Sequence, residues 1–297
     1  MQSTISSLTF SYGPMTSHEL ANASNRIKTM LEPTSLYIIA KRKRPLMEIQ
    51  SQDEKSIHIV YNLESLRLET TLLMNSILQE ELQCNNGVIT IDRLIHLQHH
   101  GMIEVVSGSG SLSQFVTYEV LYVGQCVKEH IADRFKAHHA LLAIFNNETI
   151  LSTTYDKSEE ILILPFVVNS NEITSVTADS SSDEIDRIVN AMLGNCTAPE
   201  EAHSYDCEKA LIRAMDPKYN KTKFKSYPKS KDGLYPYKFD SIGYAIDENI
   251  ILSYGNSNFI LGANWGESSQ VLFRFFLHCA FSISYIADLS SSVSSIA

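Results

Sequence analysis

Three groups of residues carry side chains suited to chemistry on an anionic ligand. The first is the run Tyr118-Glu119-Val120-Leu121-Tyr122-Val123-Gly124-Gln125, which reads as a strand ending in a glycine. The second is Arg134 and His138, four residues apart and therefore on one face of a helix. The third is Glu208, followed by Asp216-Pro217-Lys218-Tyr219-Asn220, where a helix bearing a carboxylate breaks into a basic loop. An arginine can grip an anion through its planar fork. A single carboxylate completed by waters suits Mg²⁺ or Mn²⁺. Phenols and an imidazole can orient a nucleophile or move its proton. Singly, each group has a bland reading: a strand tyrosine packs, an Arg/His pair sits at the surface, and a helical Glu is solvated. The weight lies in their order along a strand–helix–strand–helix pattern.

A local charge reinforces the third group. Between Lys209 and Lys238 lie nine cations against Asp216 and Asp232, a local +7 in a chain of net charge −10. The total argues against a polyanion wrapped around the whole surface, but it leaves a local groove open. Lys218, Asn220, Lys221, Lys223 and Lys225 are the candidate contacts to a phosphate backbone, with Tyr219, Phe224, Tyr227, Tyr235 and Tyr237 interleaved. Lysines that release counterions and aromatics that stack on bases are what such a groove requires. The competing reading is a solvated loop. Two other polar clusters are expected to be structural. Lys41-Arg42-Lys43-Arg44 before Pro45 reads as a solvated turn, and His96, His99 and His100 read as flanking a helix that starts at Asp92. The histidines have no cysteine or carboxylate at ligand spacing. Five scattered cysteines without a C-x-x-C pair argue against a disulfide scaffold and a structural zinc site, and point to free thiols in a reducing cytoplasm.

The elements that must position these groups follow from periodicity. At 297 residues and 44% apolar content the chain is long enough for one large domain or two modest ones. Helices are expected over Ser17–Leu31, Leu66–Leu82, Ile131–Phe145, Asp183–Leu193 and Tyr205–Met215. Strands are expected at Leu36–Ala40, Ser56–Tyr61, Val88–Ile91 and Ile161–Val168, the last apolar throughout and so central in a sheet. Met102–Val106 and Phe115–Val123, joined by Ser107–Ser111, give a β-hairpin signal. Strand-like alternation dominates from Ile242 to Phe276. No signal peptide is visible, and Val271–Ala287 is too short to span a bilayer and is interrupted by Arg274 and His278. The expectation is a cytoplasmic protein without a membrane partner.

Residues 100–225 resemble the GIY-YIG nuclease family. Tyr122-Val123-Gly124 matches the second signature tripeptide, Ile131-x-x-Arg134-x-x-x-His138 the helix after it, and Glu208 with Leu211-Ile212 the family's Glu helix. Pro217-Lys218-Tyr219-Asn220 looks like the Pro-x-x-Asn ending. The first tripeptide has no equivalent in Met102–Val105, and a long stretch including Asp179–Glu184 separates His138 from Glu208. Tyr118, expected on the same strand face as Tyr122 by the period of two, is the stand-in for the missing phenol.

The resemblance implies an α+β fold with a small mixed sheet flanked by helices, over residues 101–240. An α/β N-terminal module (1–100) and a β-rich C-terminal region (241–297) would stand on either side. It implies metal-dependent hydrolysis of DNA phosphodiesters, with Tyr122, Tyr118, Arg134, His138 and Glu208 catalytic, Glu208 the metal ligand and Mg²⁺ or Mn²⁺ the cofactor. Defence against foreign DNA is the context in which such stand-alone nucleases occur. RNA as the substrate and a homo-oligomeric state stay open. So do two alternatives, an inert nucleic-acid-binding protein on the same fold and a protein-interaction module.

Overall fold

The computed structural model describes residues 2–85, 87–136, 139–148, 158–174, 181–193, 198–255, 258–263 and 273–276. Along these the chain runs β1 (Gln2–Phe10), α1 (Ser17–Ala21), α2 (Asn25–Leu31), β2 (Leu36–Lys43), β3 (Leu46–Gln52), β4 (Ser56–Leu63), β5 (Leu66–Leu73), α3 (Ser76–Cys84), α4 (Ile91–His99) and β6 (Val105–Ser109). It continues with β7 (Thr117–Gln125), α5 (Ile131–Lys136), α6 (His139–Glu148), β8 (Glu159–Thr174), α7 (Ser182–Met192), α8 (Glu200–Met215), β9 (Ser241–Ile246), β10 (Ile251–Tyr254), β11 (Asn258–Leu261) and β12 (Phe273–Phe276). This mixture of helices and sheets is an α+β fold. None of the described helices is long and apolar enough to cross a membrane.

Eight strands form one mixed sheet in the order β11-β10-β7-β2-β8-β1-β9-β12, and β3-β4-β5-β6 form a second, antiparallel sheet. β2 lies between β7 and β8 and is antiparallel to both. Its alternation serves two cores. Leu36, Ile38 and Ala40 join one cluster with α8 and the second sheet, while Tyr37 and Ile39 join the other with α5 and α6. Burial on both faces is why Leu36–Ala40 reads as an unbroken apolar run.

The expected boundaries at 100/101 and 240/241 do not follow these sheets. β1 and β2 pair with β8, and β1 also pairs with β9, so both ends of the chain share the sheet that holds β7. The segment from β3 to β6 is an insertion between two strands that are neighbours in space, β2 and β7.

Other expectations change for local reasons. The hairpin 102–124 does not form: β6 pairs with β5 in the small sheet, and β7 pairs with β2 and β10 in the large one. The expected helix 66–82 is a strand and then a helix. Leu66, Leu68, Thr70 and Leu72 alternate with exposed or half-buried neighbours in β5, and Asn75 then caps α3 by accepting from Leu78 N. Val88–Ile91 is not a strand, because Thr90 caps α4. The helix expected over 17–31 breaks in two. Thr16 makes a capping box with Glu19, and Ser24 caps the second piece. Lys41–Lys43 are not a turn but the end of β2, where Arg42 is buried against Asp92 and Glu160.

Candidate active site

Strand β7 sets the site through a bulge. Against β2 the register slips, so that Ile39 opposes Tyr122 and Ala40 opposes Val120. The extra residue puts Leu121 and Tyr122 on the same side, against the α5/α6 core, while Tyr118 and Val120 face the other core. The expectation that Tyr118 and Tyr122 share a face is therefore corrected: a bulge resets the period of two. Tyr118 is fully buried and donates to Asp92 beside Arg42, on the far side of the sheet from Tyr122.

The phenol that faces Tyr122 comes instead from β2. Tyr37 lies opposite Gly124 in the β2–β7 ladder, and its ring stacks on that of Tyr122 with centroids 6.1 Å apart. Gly124 is what permits this approach. A Cβ there would lie 2.5 Å from the Tyr37 Oη and 2.7 Å from the Tyr122 Cε1. Phe135 of α5 packs edge-on against Tyr37 at 4.9 Å. The Tyr37 hydroxyl is hydrogen-bonded to both Tyr122 and Arg134. Arg134 also reaches Glu129 at 2.9 Å, and its Nε, buried, has no partner among the described residues.

Helix α8 brings the carboxylate. It ends where Asp216 turns left-handed at φ 47°, with its N–H bonded to the Ile212 carbonyl. The next residues dock on the half of β7 that β10 leaves uncovered. Tyr219 N donates to Leu121 O at 3.0 Å, and the Asn220 side chain accepts from Val123 N at 2.9 Å and donates to Val123 O at 2.7 Å. Asn220, expected to touch nucleic acid, thus has both ends of its buried amide bonded to the β7 backbone, and its role here is to hold the loop against the strand.

These elements enclose a cleft of about 620 Å³ lined by Tyr122, Arg134, Glu208, Lys218, Asn220 and Lys221, with Ile212 and Phe224 as its apolar wall. Burial pushes the Glu208 carboxyl up to about 7, against the pull of Lys209 and Arg134. Burial, and then the neighbouring Glu208, raise the Tyr122 phenol, and burial with Tyr122 raises Tyr37. Both phenols are therefore protonated at neutral pH and act as hydrogen-bond donors.

The basic segment is partly neutralised. Lys209 is buried and bonded to Asp232, Lys223 pairs with Asp216 at 2.8 Å, and Lys218 pairs with Glu148 of α6 at 2.5 Å. Glu148 also accepts from Tyr219 at 2.7 Å and meets Lys41 at 3.3 Å. Burial opposes its ionisation, but the bonds from Lys218 and Tyr219 prevail and hold it at about 2. Lys221 and Lys225 are exposed and make no ion pair among the described residues. His138 lies outside the described residues.

Sequence reasoning missed Tyr37, Glu148 and Asp206. Asp206, two residues before Glu208, accepts from Tyr227 at 2.7 Å, from Leu234 N at 2.8 Å and from Tyr244, and so anchors the loop beyond α8. The available signal was a tyrosine inside an apolar strand, but only the pairing of β2 with β7 shows what it faces. No protein-family model, curated protein or solved structure matches the chain.

Proposed function

We propose that this protein is a metal-dependent endonuclease that hydrolyses phosphodiester bonds in DNA on a divergent GIY-YIG-like scaffold. The observation that carries the reading is the convergence of Tyr122, Arg134 and Glu208 on the cleft, with the buried Tyr37 hydroxyl bonded to Tyr122 and Arg134 behind them. Tyr37, in Ser35-Leu36-Tyr37 on the strand beside Tyr122-Val123-Gly124, supplies the phenol that the resemblance requires and that Met102–Val105 lacks.

The exposed edge of the Arg134 guanidinium offers donors for a phosphate, where a fixed cation is worth most if charge builds in the transition state. Lys221 at the rim adds attraction for the backbone. Tyr122, protonated and held from behind by the buried Tyr37 hydroxyl, can orient a water or donate to a phosphate oxygen. The residues present fit a hard divalent cation: the Glu208 carboxylate lines the cleft and forms no hydrogen bond or ion pair with a described residue, and one carboxylate plus waters is how Mg²⁺ is commonly held. Such a cation, when bound, would stabilise the charge on the leaving oxygen. Near pH 7 Glu208 lies close to its titration point, so a cation converts it fully to the carboxylate.

The test is nicking of supercoiled plasmid in Mg²⁺ and in EDTA, with RNA as a parallel substrate. Glu208→Ala should lower the rate by about 10²-fold or more while keeping DNA affinity, since it removes a carboxylate that repels phosphate. Salt-sensitive binding without cleavage in the wild type would move the reading to an inert nucleic-acid-binding protein. A folded Glu208→Ala protein that cuts at the wild-type rate sinks the assignment.

A further inference from the structure

The three histidines near residue 100 have a carboxylate partner after all, supplied from a distant part of the chain. His96 and His100 lie one turn apart at the end of α4, and Glu248 sits in the turn between β9 and β10. The Glu248 carboxylate is 3.3 Å from His96 Nδ1 and 3.3 Å from His100 Nε2. One donor atom from each of the three residues falls within 4.8 Å of the others. Glu248 is 1% exposed and its carboxylate is oriented by the Phe10 N–H at 2.7 Å. A second pair, His99 Nε2 and Asp247 Oδ1, stands beside it at 3.5 Å.

We infer that His96, His100 and Glu248 bind one divalent transition-metal ion of the Zn²⁺ type, clipping α4 to the β9–β10 turn. Three features of the geometry carry this. Charge-assisted N–H···O bonds contract to about 2.7–2.9 Å, whereas these separations are longer. A tetrahedral zinc with ligands at about 2.0–2.1 Å sets neighbouring donors about 3.3–3.4 Å apart, which is the spacing of each histidine nitrogen from the Glu248 carboxylate. Histidines four apart on a helix present both rings to one point.

The donor set, two imidazoles and one carboxylate, suits zinc and its first-row neighbours rather than Mg²⁺, which prefers oxygen alone. With three protein ligands, water would complete the shell. The Phe10 N–H is the outer partner that fixes the carboxylate. The clip joins residues 148 and 152 positions apart in the sequence, and it ties the inserted segment to the large sheet. Neither the cysteine pattern nor the local spacing of the histidines signals this site, because the third ligand is not local.

The site is separate from Glu208, and the experiment keeps the two apart. Zn²⁺ would be titrated into metal-stripped full-length protein in excess Mg²⁺, with bound metal measured by mass spectrometry and visible absorption recorded for Co²⁺ in its place. The wild type and Glu208→Ala should bind one equivalent, give the absorption of tetrahedral Co²⁺ and melt several degrees higher with zinc. His100→Ala, at the half-buried end of the helix, and Glu248→Gln, which keeps an acceptor for the Phe10 N–H, should weaken binding at least tenfold. Circular dichroism would confirm that each variant is folded. Absence of binding in the wild type, or wild-type affinity in folded His100→Ala, overturns the proposal.

Discussion

Strand β7 carries two sets of the same residue types on its opposite faces, and they have opposite fates. On one face Tyr118 meets Arg42 and Asp92. On the other Tyr122 meets Tyr37, Arg134 and Glu208. The first set is closed. Arg42 is bonded to Asp92 through both terminal nitrogens at 2.7 and 2.5 Å, to Glu160 at 2.9 Å and to the Phe115 carbonyl at 2.8 Å. The second is open, with an unpartnered Arg134 Nε and a Glu208 carboxyl pushed up to about 7 by burial. A tyrosine, an arginine and a carboxylate therefore do not define a reactive site by type. What matters is whether their hydrogen-bonding capacity is already satisfied by one another.

The largest effect should come from breaking the closed set. Asp92→Ala leaves the Arg42 guanidinium buried with only Glu160 as counter-charge. Removing one partner of such a pair costs about 3–5 kcal/mol. Urea denaturation should show that loss, and Arg134→Ala, on the half-exposed set, should show less than about 1 kcal/mol. Equal losses would mean that the two faces do not differ as described.

The open set should reveal itself by being strained rather than stabilising. The folded-state Glu208 carboxyl titrates near 7, against an ordinary value of 4.5. The folded protein then holds a proton that the unfolded chain has released. The associated stability is present below about pH 4.5, falls as the pH rises towards 7, and is gone above it. The shift corresponds to at most about 3–4 kcal/mol. Glu208→Gln removes this dependence, so at pH 8 the variant should be more stable than the wild type although inactive, and at pH 5 the gap should nearly close. Saturating Mg²⁺ should narrow the gap at pH 8 by favouring the carboxylate. A wild type that is the more stable at pH 8 without metal would contradict the open-site description.

How far the sequence foretold this arrangement depends on the range of the interaction. Local pattern was enough for the Glu208 helix, for the strand 161–168 and for Tyr122-Val123-Gly124, because capping, apolar runs and periodicity are encoded within a dozen residues. It failed for Tyr118, since a bulge is one extra residue that no alternation rule anticipates. It failed for Arg42, whose four-cation run reads as solvated until Asp92 and Glu160 arrive from elsewhere in the chain. Tyr37 was hidden for a related reason. The inserted β3–β6 segment puts eighty-five positions between it and Tyr122, so the phenol facing Tyr122 is not in the strand near residue 100. Glu248 was unreadable as a partner of His96 and His100 for the same cause.

The finest distinction between the two faces is that between two hydroxyls. Tyr118→Phe removes a donor to the buried Asp92 carboxylate, which should cost about 1.5–3 kcal/mol of stability. It should leave the cleavage rate per folded molecule unchanged, since that ring faces the core opposite the cleft. Tyr37→Phe removes a hydroxyl bonded to another phenol and to a half-exposed arginine, so the stability change should be only about 0.5–1.5 kcal/mol. Its signature should be kinetic. The ring still packs on Tyr122 and Phe135 and the fold is kept, but Arg134 and Tyr122 lose the buried bond that fixes them at the cleft. The expected result is a fall in kcat of about tenfold or more with DNA affinity nearly unchanged, because a positioning contact matters most once charge has developed on the phosphate. If Tyr37→Phe cut normally while Tyr118→Phe, equally well folded, lost activity, the working phenol would lie on the other face of β7. The open and closed sets would then have to exchange roles.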